Sequence, residues 1–444
     1  MQSLVHRFGN IFSESLSALQ KQVPEDVSEK IIMRVYRVME GKNRKFHSAA
    51  HVLDVAEGLS PMQKIAVFFH DYVYVQVDNG FSSEDAFLHD YVLLQGTEAE
   101  LRTETPENAV WDLVLSVFGV MRGQVLTIFS GLNELLSAFV MSECLKEYFS
   151  ERELIELVAY VEATVPFRKN MPYEKLSARL SSLLRKKNIA ADGEEVRRIV
   201  RAALNTANSD TANFSNPDVA FFLAKTWELL PESNNFISQI GVYSVRYYRE
   251  VLLKNYNFMV FMNGETVFHR FEDYPDEQTY TKLVRQTDEN LRISREYLAV
   301  KLLNQGILEA VATETGGDVP ISYFLGDARN YENIRNIENY LPEIKNERED
   351  CTPEVKKLLL EGRLHPSAHD LKNSPLAAYC YRFMSKAEFE KSFESAKKMF
   401  AGEISAKEML QTVPRELLLI LLRGIGEIAV WRKEKIEKLI QEFA

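Results

Sequence analysis

Apolar residues along this chain recur at helical rather than strand spacing. In residues 27–39 they fall at Val27, Ile31, Ile32, Val35 and Val38, which places them on one face of a helix. Similar segments follow one another with short Pro, Gly, Asn and Ser punctuation between them. Pro24 opens the 27–39 helix, with Glu25 and Asp26 in its first turn. Ser60 and Pro61 form an N-cap and first helical residue. Ser150 caps a segment that runs to about Thr164 and is ended by Pro166. Pro172 opens a helix through Leu184, and Pro217 and Pro231 bracket another. Alternating patterns are scarce. Only 261–267 and 319–324 read as strands, and Pro320 confines the second to an edge. The pattern predicts an all-α fold. Residues 1–262 form one helical array, and the polar stretch 262–278 is a seam. A long amphipathic helix is expected over about 276–312, then a break at 313–317. Short helices follow over 330–444 and end in a charged helix at 432–443. Residues 276–444 therefore read as a separate C-terminal helical module.

Composition narrows the function classes. Of 444 residues, 46% are apolar and 26% charged, which is ordinary for a folded protein and excludes disorder over most of the chain. The net charge of −11 argues against dedicated nucleic-acid binding. Cys144, Cys351 and Cys380 lie far apart, with no paired spacing, so a cysteine-rich zinc site or disulfide framework is not expected and a reducing compartment is. The N-terminus lacks the apolar core of a signal peptide, and no run approaches the ~20 apolar residues of a membrane span. The expectation is a soluble cytoplasmic protein.

Candidate chemistry is concentrated between residues 44 and 87. The run 65–75, IAVFFHDYVYV, is apolar on every side of a helical wheel except at His70 and Asp71. A carboxylate buried there without a partner costs several kcal/mol. It therefore needs a cationic side chain, a dense set of hydrogen bonds or a bound metal. In the preceding helix, Ser48 can act as N-cap and Val52, Val55, Ala56 and Leu59 make the core stripe, with His51 flanking it and His47 just before it. Two short neighbouring helices can thus aim His51, His70 and Asp71 at one point. Two imidazoles and a carboxylate suit a borderline divalent ion. The bland alternative is a set of structural core histidines, yet four of the 8 histidines (His47, His51, His70, His89) lie between residues 47 and 89.

These residues resemble the HD-domain superfamily of metal-dependent phosphohydrolases, in particular its predicted small phosphohydrolase branch. In that branch, Tyr-His-Asn-x-x-His precedes Phe-His-Asp-x-Val-Tyr and an acidic, serine-containing segment. Here the elements are Phe46-His47-Ser48-Ala49-Ala50-His51, then Phe69-His70-Asp71-Tyr72-Val73-Tyr74, then residues 79–84. The likeness covers about residues 30–230, and the fold it implies is shared with cyclic-nucleotide phosphodiesterases. It implies that His51, His70 and Asp71 are metal ligands and that His47 is a catalytic proton donor. It also implies a distant aspartate as a further ligand. Asp210 is the best candidate, because it continues the stripe Ile199, Ala203, Leu204, Ala207; Asp218 and Glu162 compete with it. Ser48 replaces the asparagine, and the second His-Asp-x-Asp-His element of the phosphodiesterases is absent. That leaves a mononuclear site, or a second metal held partly by Glu84. Glu84 reads equally well as a first-turn residue after Ser82 or Ser83.

The resemblance further implies a metal (Mn, Fe, Zn, Co, Ni or Mg) that activates a water for attack on a nucleotide or other small phosphomonoester or phosphodiester. Arg44, Lys45, Arg168 and Lys169 are candidate clamps for its phosphate, with solvated surface charge as their alternative. Asn205, Asn208 and Asn213 would orient Asp210 or contact substrate, or else mark a helix end before Pro217. His365 and His369-Asp370 repeat the His-x3-His spacing, but Pro366 and the polar stretch after it suggest a loop opening, and they read as surface. Arg423-Gly-Ile-Gly426 is too weak, and too acidic in its surroundings, for a DNA-binding hairpin. The competing reading is a catalytically degenerate HD-fold scaffold that binds a protein partner through 276–444.

Overall fold

The computed structural model describes residues 2–169, 171–234, 237, 241–326 and 336–444. The chain is predominantly helical, as the periodicity requires, with one small antiparallel sheet. It packs as two compact units. One comprises 1–215 with 264–287, the other 216–263 with 288–444. The chain thus leaves the first unit at 216 and rejoins it at 264, whereas the composition suggested a single seam at 262–278. Among the described residues no helix is long and apolar enough to cross a membrane.

The first unit is built around two helices buried on nearly every side, Leu132–Leu145 and Glu151–Ala163. Ser150 and Glu153 close the second with a capping box, and Ser60, Pro61 and Gln63 do the same for Pro61–Phe69. Leu4–Ala18 lays Phe8 and Phe12 against that helix. The rings of Phe8 and Phe68 lie 4.5 Å apart, and Phe12 stacks on Phe68 at 4.9 Å. The end of Pro61–Phe69, where His70 and Asp71 follow, is therefore fixed by aromatic packing.

Three strands make the sheet: Val92–Gln95, Glu98–Leu101 and Val125–Thr127. Val92 pairs with Leu101, Gln95 with Glu98, and Glu98 with Thr127. The two expected strands are not strands. Residues 264–267 form a helical turn, Gly264–Val267, and 319–324 supply only a bridge between Ser244 and Pro320 before the helix Ser322–Leu325. Gly264 is required by close approach, since a Cβ there would lie 2.5 Å from the Val284 carbonyl oxygen.

The long expected helix runs Glu277–Thr315 and ends at Gly316 and Gly317, both at positive φ. The second unit also holds the helices Val219–Ser233, Val245–Phe261, Pro353–Leu360, Pro375–Phe383, Lys386–Phe400, Arg415–Ile428 and Lys433–Phe443. Residues 330–335, at the start of the expected C-terminal helices, lie outside the described residues. His369 and Asp370 are not on the surface; both are buried, and Asp370 accepts hydrogen bonds from Trp227, Tyr248 and Lys301.

Candidate metal centre

Three helix ends meet at one point in the first unit. Ser48 precedes the helix Ala49–Ala56, which carries His51 in its first turn. The run expected as one helix over 65–75 breaks instead. Pro61–Phe69 ends at His70, Asp71 follows in a turn, and a single helical turn, Val75–Asp78, resumes. That break lets the adjacent side chains of His70 and Asp71 converge. Asp210 is the last residue of Gly193–Asp210. One ligand atom from each of His51, His70, Asp71 and Asp210 lies within 4.8 Å of the others.

The four groups are close enough together to hold one metal ion. His51 Nε2 lies 3.0 Å from Asp210 Oδ1 and 3.5 Å from Asp71 Oδ2. His70 Nε2 lies 2.9 Å from Asp71 Oδ2 and 3.3 Å from Asp210 Oδ1. His70 Nδ1 is 2.7 Å from the Val67 carbonyl oxygen, to which it can only donate. That bond leaves Nε2 as the atom presented to the carboxylates, the second-layer arrangement usual for metal-bound imidazoles. His70 Nε2 and Asp71 Oδ2 are both buried without a well-oriented hydrogen-bond partner. Of the compensations open to Asp71, a guanidinium or ammonium is ruled out among the described residues: no Arg or Lys forms an ion pair with its carboxylate. Without a metal, protons take that role. Burial alone would lower the His70 imidazolium pKa, but the charges of Asp71 and Asp210 hold it well above its usual value. Burial works against the carboxylates too, yet His70, His47 and His51 keep Asp71 far below the ordinary range, and His70 and His51 bring Asp210 to about 2. A divalent cation satisfies the same four groups directly.

His47 stands beside the cluster, its ring 5.8 Å from that of His51 and 4.3 Å from that of Tyr74. His89 is exposed and rests on Phe81. Of Asp210's competitors, Asp218 caps Val219–Ser233 by accepting from the Ala220 amide. Glu162 is taken by Arg168 and Arg179, each at 2.6 Å.

Arg44 and Arg168 are not free phosphate clamps. Arg44 is buried and grips Asp78 with two nitrogens, at 3.0 and 2.6 Å. It also donates to the carbonyl oxygens of Asp71 (2.6 Å) and Tyr72 (2.8 Å), so it fixes the turn that carries Asp71. Arg168 pairs with Glu162 over the ring of Tyr173. Lys45 and Lys169 are exposed. Glu84 lies outside the four-residue cluster; it is an exposed first-turn residue paired with Arg34 and Arg37, while its neighbour Asp85 is the buried acid, held by Arg34 and Tyr72. Asn205 accepts from Tyr274, and Asn208 makes two bonds to the backbone of His269. Asn213 Oδ1 is buried without a partner among the described residues.

One residue was missed. Glu134, on Leu132–Leu145, is buried with Oε2 unpartnered; burial, reinforced by the charges of Asp71 and Asp210, pushes its carboxyl up to about 8. The argument that flagged Asp71 applies to it, since Glu134 also interrupts a largely apolar run. Its neighbours hold the chain after Asp71: Ser137 Oγ accepts from the Val73 amide and Asn133 Oδ1 from that of Val75.

No family model, no curated protein and no solved structure matches the chain.

Proposed function

We propose that this protein is a metal-dependent phosphoester hydrolase of HD type, with one divalent cation held by His51, His70, Asp71 and Asp210. The observation that carries this reading is the convergence of four ligand atoms, two of them buried and otherwise unpartnered. Such a metal supplies Lewis acidity toward a phosphoryl oxygen and a water of lowered pKa. The chain's own residues do the rest. Val67 holds the His70 ring in place through Nδ1, and Arg44 fixes the turn that presents Asp71. His47, beside the cluster, is the proton donor that the resemblance assigns, and Glu134 holds a proton close by. The substrate class, a nucleotide or other small phosphoester, and the cytoplasmic location rest on the resemblance and on the cysteine content.

The test is elemental analysis of the purified protein alongside hydrolysis of a nucleotide and aryl-phosphoester panel. The expected outcome is about one Mn, Fe, Zn, Co, Ni or Mg per chain, with both metal and hydrolysis lost in His70→Ala and Asp71→Ala. Wild-type protein that retains none of these metals after supplementation overturns the reading. The second reading, a degenerate HD-fold scaffold, is favoured by one observation: both arginines offered for substrate phosphate are committed to internal carboxylates. Metal binding without hydrolysis would select it.

A further inference from the structure

The second unit has a cavity of about 410 Å³, of a size suited to a small organic ligand. Its walls are largely apolar and aromatic, with Ile321, Leu325 and Leu376 beside Tyr243 and Tyr248, whose rings stack at 4.9 Å. Three features give it a polarity.

The first is charge. Lys301 lines the cavity at 4% exposure, and Arg363 lies behind it at 1%. Both pair with a single carboxylate, Asp370, whose Oδ2 is 3.0 Å from Lys301 Nζ and 3.4 Å from Arg363 Nη2. Within this cluster, among the described residues, two buried cations share one buried anion. The rings of Trp227, Tyr248 and Tyr297, within 5.0–5.7 Å of the ammonium, face it but carry no net charge. Glu338, the other acid in the wall, makes no ion pair with either cation among the described residues.

The second feature is a helix end. Pro375–Phe383 begins at the cavity, where Ser374, Leu376 and Ala377 line it. Ser374 gives no side-chain cap, and the amides of Leu376 and Ala377 have no acceptor among the described residues. The third is Gln305. At 4% exposure it lines the cavity one helical turn from Lys301, and its Oε1 has no hydrogen-bond partner among the described residues.

We propose that this cavity is a binding site for a small organic carboxylate with an apolar or aromatic body and a hydrogen-bond donor. The anionic group answers Lys301 and the open amides of the helix end. The donor answers Gln305, and the body lies against the tyrosines. The site lies wholly in the second unit and does not depend on the metal centre.

The full chain is titrated calorimetrically with benzoate, 4-hydroxybenzoate, phenylacetate and hexanoate, with 4-hydroxybenzamide as the neutral control. At least one acid is expected to bind at one per chain, the amide about tenfold or more weaker, and Lys301→Met to lose that binding. A second variant reads the charge balance without any ligand. Gln305→Glu places a carboxylate next to Lys301, and it is expected to raise the Tm of the ligand-free protein and to abolish acid binding. Saturable binding by none of the four acids, binding indifferent to Lys301→Met, or a fall in Tm for Gln305→Glu each overturns the proposal.

Discussion

Asp71 and Glu134 are two acids in one buried neighbourhood that meet opposite fates. Imidazoles at 2.9 and 3.5 Å keep Asp71 ionised, whereas Glu134 has no cationic partner at its buried oxygen and holds its proton up to about pH 8. The second fate has a measurable consequence. Unfolded, Glu134 ionises near its ordinary value of 4.5. Between that value and about 8 the folded chain therefore binds a proton that the unfolded chain has released. Its contribution to stability is complete below about pH 4.5 and is lost as pH rises toward about 8. In chelator-treated protein, Glu134→Gln is expected to be more stable than wild type at pH 8 and closest to it near pH 4.5, as read from urea midpoints. Equal offsets at both values would show that Glu134 is not held protonated. Asp71 was legible in the sequence because one charge in an apolar run demands a partner. Asp370 was not, because its partners Trp227, Tyr248 and Lys301 lie 143, 122 and 69 residues away and only tertiary packing reveals them.

At the scale of elements, the His51, His70, Asp71 and Asp210 cluster is made by ends rather than by faces. His51 sits in a first turn, His70 caps a last one, and Asp210 terminates a helix. The helices themselves were readable from Pro and Ser punctuation: Ser60-Pro61, Ser150 and Pro172 each open a helix where expected. The hairpin Val92–Leu101 was not, since Glu98 and Glu100 are poor strand formers and only Gly96 hints at a turn. Nor was the break after Phe69, which turns on Arg44 reaching across to the carbonyls of Asp71 and Tyr72. Removing that clamp leaves Asp78 and both carbonyls short of donors. Arg44→Ala is expected to lower unfolding free energy by about 3 kcal/mol, by analogy with other broken buried ion pairs, and to reduce metal retention although the ligands are intact. Arg44→Lys is expected to recover part of the stability. Full metal occupancy and wild-type stability in Arg44→Ala would remove the clamp from the account.

For the whole molecule, the decisive feature is that each unit draws on two separated stretches of chain. Periodicity cannot reveal such an exchange, because the pattern of a stretch such as 216–263 or 264–287 says what element it forms and not which unit it joins. A fragment ending at 262, where composition placed the seam, lacks 264–287 and carries 216–262 without the rest of their unit. It is expected to be aggregated or partly unfolded by circular dichroism and size-exclusion chromatography, whereas an internal deletion that joins 215 to 264 and ends at 287 is expected to fold. A well-folded 1–262 fragment would contradict the division. During synthesis the same exchange imposes an order. The ribosome must deliver residue 287 before the N-terminal unit has all its pieces, and by then it has made 216–263, which must wait for segments not yet translated. Residues 216–263 therefore wait for their packing partners through more of synthesis than they would in two domains laid end to end.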